Sequence, residues 1–494
     1  MATPGKPARY DRNLVVIGGG AAGLVTAYIA AATRASVTLV EAGRMGGECL
    51  NTGCVPSKAL IRSARLAQQI RRAADLGLGG AEPVVDWRRV MQRVQAVVQA
   101  IAPHDSVERY TALGVEVLQG QARLLDPWTV EVRLHDGGTQ RLTTRAIVLA
   151  TGARPVVPAI AGIEDVDGLT SETLWEALAR LDAPPRRLLV LGGGPMGCEL
   201  AQALQRLGSQ VTLLEQGARL LVREDADVAA FARQTLEGEG VRVLTGRRAL
   251  RFERTGATRC VWLEPDATGA ENAIEFDTLL CATGRQPRLQ GLGLEELGID
   301  TGSPLEVNAC LQTVWPHIYV AGDIASPIPT TPVAAHQAWY AAINALFGSL
   351  RRFKVDYRVV PQAIYLDPEI ARVGLTEAQA RQQGVAYELT RFELGALDRA
   401  VTNGATAGYV KVLTVPGKDR LLGATVVGEQ AAELLPQFTL ALQHGLGLNA
   451  LLRTLHAYPT LGEVSRQLAG QWRRAHVPKW IYPWLARYHA WRRG

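Results

Sequence analysis

The sequence predicts an α/β protein that contains the same strand–turn–helix–strand unit twice. Three observations support this prediction. A chain of 494 residues is too long for one hydrophobic core, so several domains are expected. Glycine is frequent, at 50 residues, which indicates many tight turns. Two apolar segments, each broken by a glycine cluster, match each other at a constant distance along the chain.

The repeat has an offset of 174 residues. LVVIGGGAAG (14–23) matches LLVLGGGPMG (188–197), and SVTLVEAG (36–43) matches QVTLLEQG (210–217). Each unit reads as a strand, a glycine turn, a helix and a second strand that ends in an acidic residue. In both units 18 positions separate the third glycine from that acid. Two such units predict two Rossmann-like folds, whereas a lone glycine motif would be weak evidence.

The chemistry of this pattern is dinucleotide binding. The first glycine makes the strand-to-helix turn, the second lets the backbone approach a pyrophosphate, and the third lets helix and strand pack closely. The helix N-terminus faces the phosphates, and the acid accepts hydrogen bonds from a ribose. The candidate binding residues are Gly18, Gly20, Gly23 and Glu41 in the first unit and Gly192, Gly194, Gly197 and Glu215 in the second.

Composition excludes several other classes of protein. The apolar run 14–32 is long enough for a membrane span, but its glycine spacing favours the strand–turn–helix interpretation. Six cysteines are too few for a disulfide-stapled secreted protein, and residues 1–13 lack the apolar core of a signal peptide. We therefore expect a cytoplasmic protein. Seven Lys and Arg residues in the last 31 account for the basic charge, so a nucleic-acid-binding face is not expected.

Two cysteines, Cys49 and Cys54, lie five positions apart in GECLNTGCVPSKAL (47–60). A zinc site needs about four Cys or His ligands, and the sequence offers no second cysteine pair or nearby histidine cluster. A structural disulfide is unusual in a cytoplasmic protein. The favoured interpretation is a redox-active dithiol, with two unrelated buried thiols as the alternative. The following segment predicts a helix that places Cys54 at its N-terminus, where a thiolate is stabilised.

These motifs together resemble the FAD-dependent pyridine nucleotide–disulfide oxidoreductases, the family of glutathione reductase, dihydrolipoamide dehydrogenase and mercuric reductase. The resemblance runs from about residue 12 to 466. Its remaining landmarks are the strand ends ATGARP (150–155) and CATGRQP (281–287), the second FAD fingerprint IYVAGD (318–323), the start of a dimerisation domain DPEIARVGLTE (367–377), and the acid–base segment HAYPTLGE (456–463).

The resemblance implies a fold and a set of roles. The fold is α/β, with an FAD-binding and an NAD-binding Rossmann-like domain and a C-terminal α/β dimerisation domain. The implied boundaries are 1–160 and 286–355 for the two parts of the FAD domain, 161–285 for the NAD(P) domain, 356–470 for the dimerisation domain and 471–494 for a tail. Thr151, Gly152, Gly284, Gly322 and Asp323 join the glycines and acids above as cofactor-binding residues.

The resemblance also implies the catalytic residues. Cys54 would face the flavin, Cys49 the substrate, and Lys58 and Glu199 would pair near the flavin's reactive nitrogen. Tyr458 and Glu463 would serve Cys49 of the partner subunit, which implies a homodimer. Cys198 and Cys281, in apolar stretches, are expected to be small core residues, and no metal ligands are expected. Glu215 would repel a 2′-phosphate, which favours NADH, while nearby Arg219 and Arg223 leave NADPH open.

One position departs from the disulfide-reducing members of the family. They have a histidine five residues before the glutamate, whereas this chain has Tyr458, and His456 stands two positions early. A tyrosine is a poor base at neutral pH, so turnover of a disulfide substrate is disfavoured. Tyrosine at this place resembles mercuric reductase. That likeness is incomplete, because no Cys-x-x-Cys precedes the first glycine motif and the last cysteine is Cys310.

The electron acceptor therefore stays unassigned, as a small molecule or a metal ion. The favoured function is a mercuric-reductase-like NAD(P)H-dependent flavin disulfide oxidoreductase, with dihydrolipoamide dehydrogenase as an alternative. A membrane-associated redox relay or quinone-reducing flavoprotein is a third interpretation, because residues 471–494 combine four tryptophans with six Lys and Arg residues. A short helix from Pro483 would place Trp484, Tyr488 and Trp491 on one face, a pattern typical of peripheral membrane contact.

Overall fold

The computed structural model describes residues 5–256, 258–265, 272–302, 305–326 and 328–494. The chain divides into two units. The first consists of Met1–Gln68, Pro83–Ala218 and Gly240–Asp356, and the second of Gln69–Glu82, Arg219–Glu239 and Tyr357–Gly494. The domain boundaries that the sequence suggests stay predictions.

The strands, in chain order, are β1 Arg12–Ile17, β2 Val37–Glu41, β3 Glu116–Asp126, β4 Thr129–Leu134, β5 Thr139–Leu149, β6 Ala153–Pro155, β7 Arg187–Leu191, β8 Gln210–Glu215, β9 Arg242–Thr245, β10 Ala249–Thr255, β11 Thr258–Leu263, β12 Asn272–Phe276, β13 Thr278–Cys281, β14 Arg285–Pro287, β15 Ile318–Val320, β16 Gln362–Ile364, β17 Glu369–Gly374, β18 Glu388–Glu393, β19 Tyr409–Thr414 and β20 Leu421–Gly428.

The helices are α1 Ala21–Ala32, α2 Gly47–Asn51, α3 Cys54–Arg71, α4 Trp87–Ile101, α5 Val107–Ala112, α6 Leu174–Ala179, α7 Pro195–Arg206, α8 Ala226–Gly238, α9 Thr331–Phe347, α10 Glu377–Gln382, α11 Asp398–Thr402, α12 Ala431–Gln443, α13 Leu448–Arg453, α14 Val464–Ala475 and α15 Ile481–Arg493.

The first repeat unit forms a parallel sheet in the order β3-β2-β1-β5-β15, and β4 joins β3 to β5 in an antiparallel meander. Leu14, Val15 and Val16 of β1 are fully buried, as expected for a strand covered on both faces. Buried alanines of α1 and α9 belong to the same hydrophobic core as Leu14 and Val16 of β1. Such small side chains let the helices pack closely against the sheet. The run 14–32 is thus a strand, a turn and a helix, as its glycines predict.

The second repeat unit has the same design. Its parallel sheet runs β13-β7-β8-β9, and β10, β11 and β12 form an antiparallel meander. Cys281 ends β13 in this core and Cys198 lies on α7, and both are buried, as the sequence predicts. The short strands β6 and β14 pair with each other, so the two segments ATGARP and CATGRQP meet.

The second unit is built on an antiparallel sheet in the order β16-β17-β20-β19-β18, with buried side chains of α12 and α14 in its core. Lys411 of β19 is almost fully buried in this unit. Its ammonium lies 2.8 Å from Asp225, 2.8 Å from Asp227 and 3.1 Å from Glu377. These three acids lie close enough to share a metal ion, but the lysine supplies the positive charge that they need.

The overall result is the predicted fold class: α/β, with two Rossmann-like units and a C-terminal α/β domain. In the part of the chain that the structure describes, no helix has both the length and the apolarity that crossing a membrane would require. The C-terminal helix begins at Ile481, two residues before the predicted start at Pro483, and none of its residues is buried.

Candidate active site

The first glycine turn leaves no room for larger residues. Gly18 has φ +111°, and a Cβ there would overlap the carbonyl oxygen of Ala150. A Cβ on Gly23 would overlap the carbonyl oxygen of Gly18. The Glu41 carboxylate accepts hydrogen bonds from the backbone N–H of Gly19 at 2.5 Å and of Gly43 at 2.6 Å. Helix α1 therefore starts directly against the strand ends, with the acid held beside the turn.

The second turn repeats this geometry. Gly192 has φ +110°, and a Cβ there would lie 2.5 Å from the carbonyl oxygen of Ala282. A Cβ on Gly197 would overlap the carbonyl oxygen of Gly192. The Glu215 carboxylate accepts from the N–H of Gly193 at 2.7 Å and of Gly217 at 2.6 Å. The sequence repeat is thus also a repeat of individual contacts.

The two turns differ at their middle glycine. A Cβ on Gly47, in the cysteine segment, would lie 2.6 Å from the Cα of Gly20. A Cβ on Gly194, the middle glycine of the second repeat unit, would meet no atom of the described residues within 4 Å. The dithiol segment therefore packs on the first turn, while the second turn is open for a ligand.

The other predicted cofactor residues lie at strand ends of the first unit. Gly152, Gly284 and Gly322 all have positive φ, which favours glycine. The Thr151 hydroxyl donates to the carbonyl of Arg288 at 2.7 Å. Asp323, the acid of the second FAD fingerprint, is mostly buried, and burial raises its pKa.

The cysteine pair lies where α2 ends and α3 begins. Cys54 is the first residue of α3, as the sequence predicts, and its Sγ lies 3.6 Å from the Thr331 hydroxyl at the start of α9. A hydrogen bond from Cys49, with contributions from Thr331 and Lys58, lowers the pKa of Cys54 to about 6. The same hydrogen bond and burial raise the pKa of Cys49. In the reduced pair these shifts favour the thiolate at Cys54 and the thiol at Cys49.

One turn further along α3, the Lys58 ammonium lies 2.7 Å from the Glu199 carboxylate of α7. Glu199 is buried, and Lys58 is about one-third exposed, with 34% of its side chain accessible. The structure thus brings together the two residues that the family resemblance pairs. Their place beside a flavin stays a prediction.

The predicted acid–base segment, residues 456–463, lies in the second unit. Tyr458 is 71% exposed, and its hydroxyl donates to Asp398 at 2.9 Å. This hydrogen bond raises the pKa of Tyr458. Glu463, by contrast, is buried. The phenol therefore keeps its proton at neutral pH and holds it toward Asp398.

His456 does not share the environment of Tyr458. Its Nδ1 lies 3.0 Å from the Thr454 carbonyl oxygen, so that nitrogen is the donor in this contact. Its Nε2 lies 3.2 Å from both Gln437 and the Ser465 hydroxyl. Both ring nitrogens are engaged inside the unit, which suits a residue that holds the segment in place.

Two dinucleotides fit the residues of the first unit. Each glycine turn is a cradle that a Cβ would fill. Arg285 Nε and Thr330 Oγ1 are buried without a hydrogen-bond partner among the described residues, and both offer donors to a bound group. Thr330 immediately precedes α9, whose N-terminus carries a positive dipole end.

A scan against family models matches residues 12–338 to "Pyridine nucleotide-disulphide oxidoreductase" and residues 360–469 to the dimerisation domain of the same family. The chain belongs to the pyridine nucleotide-disulphide oxidoreductase family. Enzymes of this family use FAD and NAD(P)H. Its dimerisation domain supports the predicted homodimer.

Curated relatives fall into two groups of this family. A dihydrolipoyl dehydrogenase of Thermus scotoductus is 36% identical over 460 residues, which is 92% of this chain and 95% of the relative. A mercuric reductase of Streptomyces lividans is 36% identical over 476 residues, which is 96% of this chain and 98% of the relative. Identity alone therefore leaves the substrate unresolved.

Solved structures agree on the fold. LpdA from Mycobacterium tuberculosis has a TM-score of 0.84 at 30% identity, with 93% of this chain and 99% of that chain covered. The Cu(II) complex of the HOCl-induced flavoprotein disulfide reductase RclA from Escherichia coli has a TM-score of 0.81 at 27% identity, with 94% and 100% covered.

Sequence reasoning missed several residues of this family member's site. Glu48 and Arg285 form an ion pair, and Asp398 holds Tyr458. Thr331 contacts Cys54. Glu48 and Arg285 stand inside motifs that the sequence singles out, so their charge was available as a signal. Nothing in the sequence marks Asp398.

Proposed function

We propose that this chain is an NAD(P)H-dependent flavin disulfide oxidoreductase whose Cys49–Cys54 pair passes electrons to a thiophilic metal ion. The observation that carries the proposal is the state of Tyr458, which stands at the acid–base position with its proton committed to Asp398. A disulfide substrate needs proton transfer at the leaving sulfur. A metal ion needs thiolate ligands and no proton donor.

The residues of the chain have these proposed roles. Gly18, Gly23, Glu41 and Asp323 hold FAD, and Gly192, Gly197 and Glu215 hold NAD(P)H, with NADH preferred. Bound FAD would supply the hydride-accepting chemistry that links oxidation of NAD(P)H to two-electron reduction of the cysteine pair. Overall, oxidation of NAD(P)H to NAD(P)⁺ would release two electrons and one proton. The two electrons would reduce one Hg(II) or two Cu(II) ions, and the proton would go to solvent.

The protein side chains do three things in this scheme. The Lys58–Glu199 pair orients an ammonium at the dithiol, where its charge favours the Cys54 thiolate. Cys49 loses its proton when a metal ion binds its sulfur, because metal ligation requires the thiolate. Tyr458 of the partner subunit offers its oxygen lone pairs, since its hydrogen is directed to Asp398.

The comparisons support this proposal without deciding the acceptor. Mercuric reductases are among the relatives, and a Cu(II) complex is among the structural neighbours. Dihydrolipoyl dehydrogenases are equally similar, so lipoamide reduction is the second candidate. His456, the histidine that could serve as the acid–base group for lipoamide, instead has its ring nitrogens within 3.2 Å of Thr454, Gln437 and Ser465.

The test is steady-state oxidation of NADH and NADPH by the flavin-loaded enzyme, with Hg(II) in excess thiol, Cu(II), lipoamide and a soluble quinone offered separately. We expect fast turnover with a metal ion and slow turnover with lipoamide. Tyr458→His should raise lipoamide turnover by about 10²-fold or more, the usual contribution of a matched acid–base group. Fast lipoamide turnover by the unmodified enzyme, with slow metal reduction, would overturn the proposal.

We also propose that α15 contacts an anionic lipid surface. Trp480, Trp484 and Trp491 are 70%, 59% and 78% exposed, and Trp484 stacks on Tyr488 with ring centroids 6.1 Å apart. No acidic side chain follows Glu463, so the charged side chains of the helix and its flanks are basic. Aromatic rings at headgroup depth with arginines toward anionic lipid form an interfacial pattern. The cytoplasmic location stays a prediction.

Vesicle co-sedimentation tests this contact. We expect the full-length enzyme to sediment with vesicles that contain phosphatidylglycerol and to stay in solution with pure phosphatidylcholine. Trp484→Ala with Trp491→Ala should abolish sedimentation. Val314→Ala with Leu350→Ala, which removes two exposed apolar side chains elsewhere, is the matched control. Equal binding by both double variants, or no binding by the unmodified enzyme, would refute the contact.

A further inference from the structure

The loop between the two cysteines is bonded to a residue that is far away in the sequence. Cys49 lies in α2 and Cys54 begins α3. Thr52 and Gly53 link these two helices. The indole N–H of Trp175, a buried residue of α6, donates to the Thr52 carbonyl at 2.7 Å. Trp175 has no role in the scheme above.

The Thr52 carbonyl needs this donor because of a residue in α3. At the start of a helix, a carbonyl accepts from the N–H four positions later, as the Gly53 carbonyl does from Ser57 at 3.2 Å. For Thr52 that position is Pro56, which has no N–H. The indole N–H of Trp175 therefore supplies the hydrogen bond that the helix cannot supply.

Other hydrogen bonds of the loop are local. The backbone N–H groups of Thr52 and Gly53 donate to the Glu48 carbonyl at 2.8 and 2.7 Å. These bonds fix the internal shape of the cysteine segment, because both partners belong to it. The Trp175 bond adds a fixed point on another element.

Helix α6 is a firm support for this bond. Leu174 and Leu178, on either side of Trp175, are fully buried. The indole N–H of Trp87 on α4 donates to the Leu178 carbonyl at 3.0 Å, and Trp87 is itself buried. The Thr52 carbonyl is thus joined through two tryptophans and α6 to α4.

We propose that Trp175 is a positioning residue that sets the reduction equilibrium of the Cys49–Cys54 disulfide. The inference rests on the proposed dithiol function. Reduction adds two electrons and breaks the S–S bond, and with protons from solvent it leaves two sulfurs that move with their own helix ends. A fixed link limits the entropy that the dithiol gains, whereas the S–S bond already constrains the disulfide. Trp175 therefore favours the disulfide.

The expected size of the effect is that of one hydrogen bond. Loss of a neutral hydrogen bond changes an equilibrium about 2- to 10-fold. Without the indole N–H of Trp175, the equilibrium should move toward the dithiol by that factor. A residue that only supports the fold would lower the thermal stability and leave this equilibrium unchanged.

The experiment equilibrates the flavin-loaded enzyme with mixtures of reduced and oxidised dithiothreitol at neutral pH. One S–S bond opens in the protein for each one that closes in dithiothreitol. Alkylation and mass spectrometry give the fraction of reduced Cys49–Cys54, and thermal unfolding is followed on the same samples. We expect Trp175→Phe to shift the equilibrium about 2- to 10-fold toward the dithiol. The readout counts cysteines, so it is independent of turnover with any acceptor.

Two further proteins make the result specific. Replacement of Trp175 by benzothienylalanine keeps the ring shape but has sulfur in place of the N–H. It should give the same shift, and it decides the question if Trp175→Phe does not fold. Trp315→Phe removes an indole N–H that donates to the Leu297 carbonyl at 2.9 Å, and it should leave the equilibrium unchanged.

An unchanged equilibrium in the benzothienylalanine protein would overturn the inference, and so would an equal shift in Trp315→Phe. If the cysteine pair of the unmodified enzyme never forms a disulfide, the proposed function fails first.

Discussion

The two dinucleotide units have nearly identical turns and very different surroundings. Gly18 and Gly192 have φ +111° and +110°, and Glu41 and Glu215 each accept two backbone hydrogen bonds. The first turn packs against Gly47 of the dithiol segment, whereas Gly194 of the second turn is open. The glycine pattern therefore specifies how the chain turns, and the residues that pack on the turn specify what the site does.

The thiols of the two units give the largest expected difference. Cys198, on the helix of the second turn, is buried and its pKa is raised by burial, whereas the pKa of Cys54 is lowered to about 6 by its hydrogen bond with Cys49. At pH 7 we expect iodoacetamide to modify the reduced Cys49–Cys54 pair on the order of 10³-fold faster than Cys198.

The sign of the pH dependence follows from the lowered pKa. As the pH falls below about 6 the thiolate of the pair is lost, and its alkylation rate should fall tenfold per pH unit. Mass spectrometry of timed samples measures both rates. Comparable labelling of Cys198 would show that the two units do not differ in this way.

Alanine at the third glycine should separate the two ligands. Gly23→Ala and Gly197→Ala each place a Cβ on a backbone carbonyl, and relief of that overlap costs about 1–3 kcal/mol, or roughly 5- to 150-fold in binding. We expect Gly23→Ala to lose FAD, measured as flavin absorbance per chain. Gly197→Ala should keep FAD and bind NADH more weakly.

The control for this pair is Gly238→Ala at the end of α8, where the new Cβ meets no described atom within 4 Å. That variant should bind both ligands as the unmodified enzyme does. Loss of the same ligand in both turn variants would contradict the assignment of one dinucleotide to each unit.

Glu199→Gln tests the residue through which the second repeat unit contacts the cysteine segment. It removes the charge that faces Lys58 at 2.7 Å. We expect flavin reduction by NADH, followed by stopped-flow absorbance, to slow by about 10-fold or more, as for loss of a charged hydrogen bond of 1.5–3 kcal/mol. Asp182→Asn, at the exposed pair with Arg88, is the matched change and should have no effect. An unchanged rate in Glu199→Gln would remove this pair from the mechanism.

The smallest expected effect concerns coenzyme choice. Glu215→Gln keeps hydrogen-bond acceptance from Gly193 and Gly217 but removes the charge that repels a 2′-phosphate. The ratio of kcat/KM for NADPH to that for NADH should rise roughly 3- to 10-fold, because one charge near the surface contributes about 1 kcal/mol. Glu41→Gln, the same change in the first unit, should leave that ratio unaltered. A shift in both variants would mean that the units are not separate sites.

Local features of the site were predictable because they depend on neighbouring residues. The glycine turns, the helix that begins at Cys54 and the strand ending at Glu215 follow from spacing and residue type. The run 14–32 was also interpreted correctly, since its glycines interrupt what would otherwise be a membrane-length segment. Family resemblance supplied the pairing of Lys58 with Glu199, which spacing alone does not reveal.

The sequence by itself determined the two turns, the dithiol and the missing histidine, because each is written in a short run of residues. Only the tertiary structure decided which charges meet. Glu48 and Arg285 are 237 positions apart, and Tyr458 and Asp398 are 60 apart. Such pairs depend on how strands and helices are arranged around a shared core, and local propensity carries no information about that arrangement.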